Sequence, residues 1–176
     1  MILDRPGFEK VVVPHLDAAY NLARWLVHDV ALAQDVVQDA AVRALGYFRS
    51  FRGEDGRAWF LSIVRNVAFD AMAARNRLRT TSLDPLATGL DVALEIADPA
   101  ADPEATLADA QARTKLDQAI AELPLELREC LILRELEELS YKQIALVVGA
   151  PIGTVMSRLW RARQQLLQRA AERDLS

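Results

Sequence analysis

The chain has 176 residues, 52% apolar and 26% charged, with a formal charge of −4 and a single cysteine. That is enough for one packed domain or two small ones, and it excludes an internal disulfide. The opening MILDRPGFEK has no apolar run of signal-peptide type and no later segment approaches the length of a membrane span, so a cytoplasmic protein with no membrane insertion of its own is expected.

Few aromatics and abundant Ala and Leu favour helices over sheet, and the expected fold class is all-α. Leu16, Ala19, Tyr20, Ala23 and Leu26 mark one amphipathic helix, and Pro14 breaks or kinks any helix that starts near Phe8. Asp29 caps a second helix with Ala33, Val36, Val37, Ala40, Ala44 and Leu45 inward, leaving Asp35, Gln38, Asp39 and Arg43 outside. Phe51 to Gly56 is a loop. A third long helix follows through Trp59, Phe60, Ile63, Val64, Val67, Ala68 and Met72, and it turns basic at its end with Arg75, Arg77 and Arg79. Those cations, with Arg65 and Asn66 further up, suit a phosphate backbone or unpaired bases, and equally the negative end of a helix dipole.

A connector with Pro85, Pro99 and Pro103 and no basic residue follows, and it reads as a flexible acidic tether. Such a segment can keep two domains apart and soluble, or occupy a basic channel in a partner. The last block opens with a helix through Leu116 and Ile120, then LPLELRECLILREL, where Pro124 suits a helix start and Leu127, Leu131 and Leu133 supply apolar surface. Cys130 sits among these leucines and reads as packing rather than as a reactive thiol. His15 and His28 have no ligand spacing with it, so neither a metal nor a cofactor is expected.

The final segment, SYKQIALVVGAPIGTVMSRLWRARQQL, reads as a helix-turn-helix. Ser140 and Gln143 form a capping box, Ile144, Val147 and Val148 an apolar face, Gly149 a left-handed helix end, and Pro151 the first turn of the next helix. In that second helix Val155, Leu159, Ala162 and Leu166 face inward. Met156, Ser157, Trp160 and Arg161 then face out, flanked by Arg158 and Arg163 with Thr154 near the start. A helix entering the major groove needs guanidiniums for guanine edges and phosphates, with small hydroxyls and apolar surface for close approach. An ordinary helical hairpin with a solvated basic face has the same pattern. Trp160 favours the DNA reading, because a large aromatic on a charged face packs on a partner or covers a neighbouring helix.

The net charge conceals segregation. Residues 1 to 79 carry 11 bases and 9 acids, 80 to 112 carry 0 and 7, and 113 to 176 carry 10 and 9, while Thr154 to Gln168 holds three arginines and no acid. Local fields rather than net charge decide nucleic-acid binding.

The order of these parts resembles a bacterial RNA polymerase sigma factor of the extracytoplasmic-function (ECF) group. The resemblance rests on AQDVVQDAAVRAL at Ala33 to Leu45, FRGEDGRAWFLSIVRN at Phe51 to Asn66, ELP at Glu122 to Pro124, and LSYKQIALVVGAPIGTVMSRLWRARQQL at Leu139 to Leu166. It implies two small helical domains: sigma region 2 over 1–79 and sigma region 4 over 109–176, joined by the linker 80–108. It further implies that Asp35, Gln38 and Asp39 bind core polymerase. The proximal promoter element would fall to Phe51, Arg52, Arg57, Arg65, Asn66 and Arg75, and the distal element to Thr154, Met156, Ser157, Arg158, Trp160, Arg161 and Arg163. Met156 departs from relatives with arginine there, since a thioether cannot make the bidentate guanine contact. The implied partners are core RNA polymerase, promoter DNA and an anti-sigma factor. A sigma-like decoy that sequesters an anti-sigma factor and a stand-alone helix-turn-helix repressor are the competing readings. An enzyme is the least supported, because no catalytic constellation stands out.

Overall fold

Pro14 has no backbone N–H and cannot carry a helix through its own position. In the computed structural model, which describes residues 5–53, 55–81 and 107–174, α1 (Arg5–Val12) accordingly passes into a 3-10 turn (Val13–His15) before α2 (Leu16–Val27). α2 ends at His28, which takes a left-handed φ of 54°. Asp29 then starts α3 (Val30–Tyr47) by accepting a hydrogen bond from Leu32 N at 2.9 Å. A second 3-10 turn (Phe48–Ser50) and a short loop lead to α4 (Gly56–Thr81), where Asp55 Oδ1 accepts from Ala58 N. Helices α2, α3 and α4 pack on one another around Leu22, Leu26, Val36, Phe60 and Val64, all essentially removed from water. Ala33, Ala40 and Ala44 line the buried side of α3, so small side chains set how closely it approaches.

The second unit comprises α5 (Leu107–Ala121), α6 (Leu125–Glu135), α7 (Tyr141–Val148) and α8 (Ile152–Asp174). Arg128 reaches back from α6 to the carbonyls of Ala121 and Leu123, which meets acceptors that the end of α5 leaves unpaired. The capping box at Ser140 and Gln143 is formed in both directions, and Gly149 ends α7 at φ 65°. Leu123, Leu127, Leu131 and Ala162 join α6 to α8. No strand occurs among the described residues. The proline-containing connector lies outside them: α4 continues to Thr81 and α5 begins at Leu107.

The two helical units expected from the sequence also pack directly on each other. α6 lies against α2 and α7 against α4. Cys130, Ile132, Leu133, Ile144 and Val147 belong to the same continuous apolar cluster as Leu22, Leu26 and Phe60. This shared core brings the two candidate nucleic-acid surfaces into one assembly.

Candidate nucleic-acid interface

α8 presents the face that its periodicity predicts. Val155, Leu159 and Ala162 are buried against the unit, while Met156, Ser157, Trp160 and Arg161 are exposed. Trp160 is 63% accessible, so it does not serve to cover a neighbouring helix. Thr154 is half-buried and its carbonyl accepts from Ser157 Oγ at 3.0 Å. Arg163 is exposed and donates to Glu135 at 2.7 Å. Arg158 does not share this face. Its side chain is 14% exposed and pairs with Glu126 at 3.3 Å and with Glu129 at 3.8 Å, because its place in the helical repeat turns it toward α6.

The residues expected at the proximal element divide more sharply. Arg52 and Asn66 are exposed. Phe51 packs on Trp59, with ring centroids 4.8 Å apart, and on Phe48 at 6.0 Å. Arg75 lies 3.9 Å from Asp29. Arg57 and Arg65 instead point across to the second unit. Arg65 makes a two-pronged contact with Glu129 at 2.5 and 3.0 Å and stacks over the Phe69 ring at 4.1 Å. Arg57 donates to Glu137 at 3.0 Å, and Asn21 donates to the other oxygen of the same carboxylate. Gln143 adds a hydrogen bond to Asp55 at 2.8 Å. A groove of about 680 Å³ opens beside these contacts, walled by Phe51, Trp59 and Ser62 on one side and by Lys142 and Gln143 on the other.

Glu129 and Glu137 had no place in the sequence reading, although one signal was available. Glu129 directly precedes the apolar run Cys130 to Leu133, and an acid drawn into the core with that run requires a cationic partner. Burial pushes its carboxyl above the ordinary range, against the pull of Arg65 and Arg158. The same burial raises the Cys130 thiol to about 11, which leaves it protonated and unreactive at neutral pH. His28 is lowered to about 4 by burial, with Arg128 and Arg75 adding to the effect.

Asp35, Gln38 and Asp39 are exposed on α3, opposite buried Ala33, Val36 and Ala40. Among the described residues no cluster of three His, Cys, Asp or Glu side chains could hold a metal ion, and no single helix is long and apolar enough to cross a membrane.

Two family patterns match the chain: sigma-70 region 2 over residues 11–78 and sigma-70 region 4 over residues 113–166. The RNA polymerase sigma-H factor of Pseudomonas aeruginosa is 34% identical over 169 residues, covering 93% of this chain and 86% of that protein. The ECF RNA polymerase sigma-E factor of Escherichia coli K12 is 33% identical over 134 residues, covering 75% and 70%. Among solved structures, the sigma factor RpoE from Bartonella quintana, in complex with the anti-sigma factor NepR, is similar at a TM-score of 0.76 and 27% identity. That likeness covers 94% of this chain and 97% of RpoE. Two sigma-70 regions in the order of the two helical units, with relatives alike along most of their length, make this chain a member of the extracytoplasmic-function group of RNA polymerase sigma factors.

Proposed function

We propose that the chain binds core RNA polymerase, directs it to promoters with two spaced elements, and is held in check by an anti-sigma factor. The observation that carries this reading is the exposed face of α8, where Met156, Ser157, Trp160 and Arg161 project from a capped helix-turn-helix. That face has the guanidinium, hydroxyl and apolar groups that base edges and thymine methyls require. Region 4 then spans 109–176 and reads the distal element, with Thr154 and Arg163 at its margins. Region 2 spans 1–79 and reads and melts the proximal element through Phe51, Arg52, Arg57, Arg65, Asn66 and Arg75. Extruded bases need stacking surfaces, and the half-exposed rings of Phe51 and Trp59 are of that kind. Exposed Asp35, Gln38 and Asp39 suit basic side chains on core polymerase.

The linker over 80–108 makes two weak DNA contacts act as one stronger contact through effective concentration. An inhibitor of the anti-sigma kind is supported by the solved RpoE relative, which carries one. The protein has no catalytic chemistry of its own, needs no cofactor, and acts in the cytoplasm with the polymerase.

Transcription by purified core polymerase on a promoter library, with and without this chain, tests the reading by sequencing the transcript starts. Defined starts sharing two spaced upstream motifs are expected. Starts that do not depend on the chain, or none at all, would favour the decoy. Tight binding to palindromic duplex without polymerase would favour the repressor.

A further inference from the structure

Phe51 stands in the short stretch between the second 3-10 turn and α4, where no helix holds its side chain. Arg52 and Gly53 beside it are exposed, and Gly53 takes a positive φ of 80°. One backbone hydrogen bond anchors Phe51, from its N to Phe48 O at 3.1 Å. Other rings hold its side chain. Trp59 lies 4.8 Å away, and Phe48 stacks on it at 6.0 Å with 21° between the planes. Phe48 in turn meets Phe8 of α1 edge to face, with centroids 5.6 Å apart at 88°. Both arrangements are ones that the ring quadrupole favours. A chain of rings therefore runs from α1 to the surface on which bases are proposed to stack.

α1 meets the same place a second time. A Cβ on Gly56 would come within 2.8 Å of Val11 Cγ1 and 3.7 Å of Phe51 Cζ, so α1 sits directly on the first residue of α4. Val11 is β-branched and does not swing aside freely, which makes that seat a stiff one. Phe8 itself is half-buried at the edge of the core. It precedes the stretch matched by the region 2 pattern, which begins at residue 11, so the pattern gives it no role.

Resting on the sigma reading, we propose that Phe8 is a positioning residue for the proximal element: α1, seated on Gly56 through Val11, braces the Phe51 and Trp59 rings by way of Phe48 in the arrangement on which an extruded base stacks. Phe8 touches no DNA and acts through Phe51. A base gains fully from stacking only where the ring surface is in place before it arrives. A loop ordered at the moment of binding gives up part of that gain as conformational entropy, and the brace meets this cost during folding instead. The effect is confined to one function of the chain. Asp35, Gln38 and Asp39 on α3 and Arg161 on α8 are exposed and lie outside the chain of rings.

The test uses holoenzyme assembled from core polymerase and the full chain, with a labelled single strand carrying the proximal element identified in the transcription experiment. Phe8→Leu keeps an apolar side chain and removes the ring. Affinity for the strand should fall about threefold to tenfold, the equivalent of one aromatic pair. Affinities for core polymerase and for distal duplex should stay unchanged. A double-mutant cycle with Phe51→Ala separates positioning from packing, because Phe8→Leu should cost nothing further once the Phe51 ring is gone. An equal loss in both backgrounds, a loss shared by distal duplex, or no loss at all would overturn the proposal. The free chain, fluorinated at its five phenylalanines, gives a second readout that needs no DNA. The fluorine resonance of Phe51 should shift in Phe8→Leu, and that of Phe69, further along α4, should not. An unmoved Phe51 resonance would overturn the brace whatever the binding results. A chain that yields no promoter-specific starts would sink the sigma reading, and the fluorine resonances would then judge the brace alone.

Discussion

Arg161 and Arg65 carry the same guanidinium in opposite surroundings. Arg161 is exposed on α8, whereas Arg65 is largely enclosed between Phe69 and Glu129. Arg161→Ala should weaken recognition of the distal element by about 1–3 kcal/mol if the side chain reads a base, with loss concentrated on promoters carrying the preferred base. Competitive transcription over distal-element variants measures this, and a uniform loss would mark a phosphate contact instead. His28 shows environment setting protonation. Its folded pKa of about 4 lies below the ordinary 6.5, so the unfolded chain binds the proton more readily between those values. Stability from neutral His28 is therefore complete above pH 6.5 and declines as pH falls toward 4. The effect is at most about 3 kcal/mol, reduced by its partial exposure. His15 is lowered in the same direction, chiefly by burial. His28→Asn retains a residue that tolerates the left-handed φ of 54° and should lose less stability between pH 7 and pH 5 than the parent chain. Equal losses in thermal unfolding would place the acid sensitivity elsewhere. At this scale the exposed face of α8 was legible because its period is local. The engagement of Arg57, Arg65 and Arg158 was not, since their acid partners lie 80, 64 and 29 to 32 positions away in the chain.

The helix-turn-helix depends on two local devices. The capping box joins Ser140 and Gln143 at the start of α7, and Gly149 ends it with a positive φ. Ser140→Ala should cost about 1 kcal/mol through loss of the cap. Gly149→Ala should cost about 1 kcal/mol for backbone reasons alone, since a Cβ there would meet nothing within 4 Å. Urea unfolding measures both, and a neutral Gly149→Ala would mean that the turn relaxes into another conformation. These elements were readable because caps and left-handed glycines act over three or four residues. The interruption at Pro14 and the cap at Asp29 were readable for the same reason. α6 was only half legible: Leu127, Leu131 and Leu133 gave its apolar side, but the helix is buried almost all round and encloses Arg128 and Glu129 as well. Periodicity identifies a preferred face, and a helix sandwiched between two units has none to spare.

Across the whole molecule, the continuous core through α2, α4, α6 and α7 makes the two units one thermodynamic body in this arrangement. Calorimetry of the full chain should give a single cooperative unfolding transition with van't Hoff and calorimetric enthalpies in agreement. Two resolved transitions would mean that the shared core contributes little. The sequence by itself determined that the protein is all-α, built as two helical units with a helix-turn-helix in the second, and that Met156, Ser157, Trp160 and Arg161 face outward. Those features follow from composition, helical period and capping chemistry, which operate within one or two turns of chain. Only the tertiary structure decided that the units bury apolar surface against each other and that Glu129 and Glu137 claim Arg65 and Arg57. Such pairings join side chains many tens of residues apart, and they depend on which apolar faces meet when the chain closes.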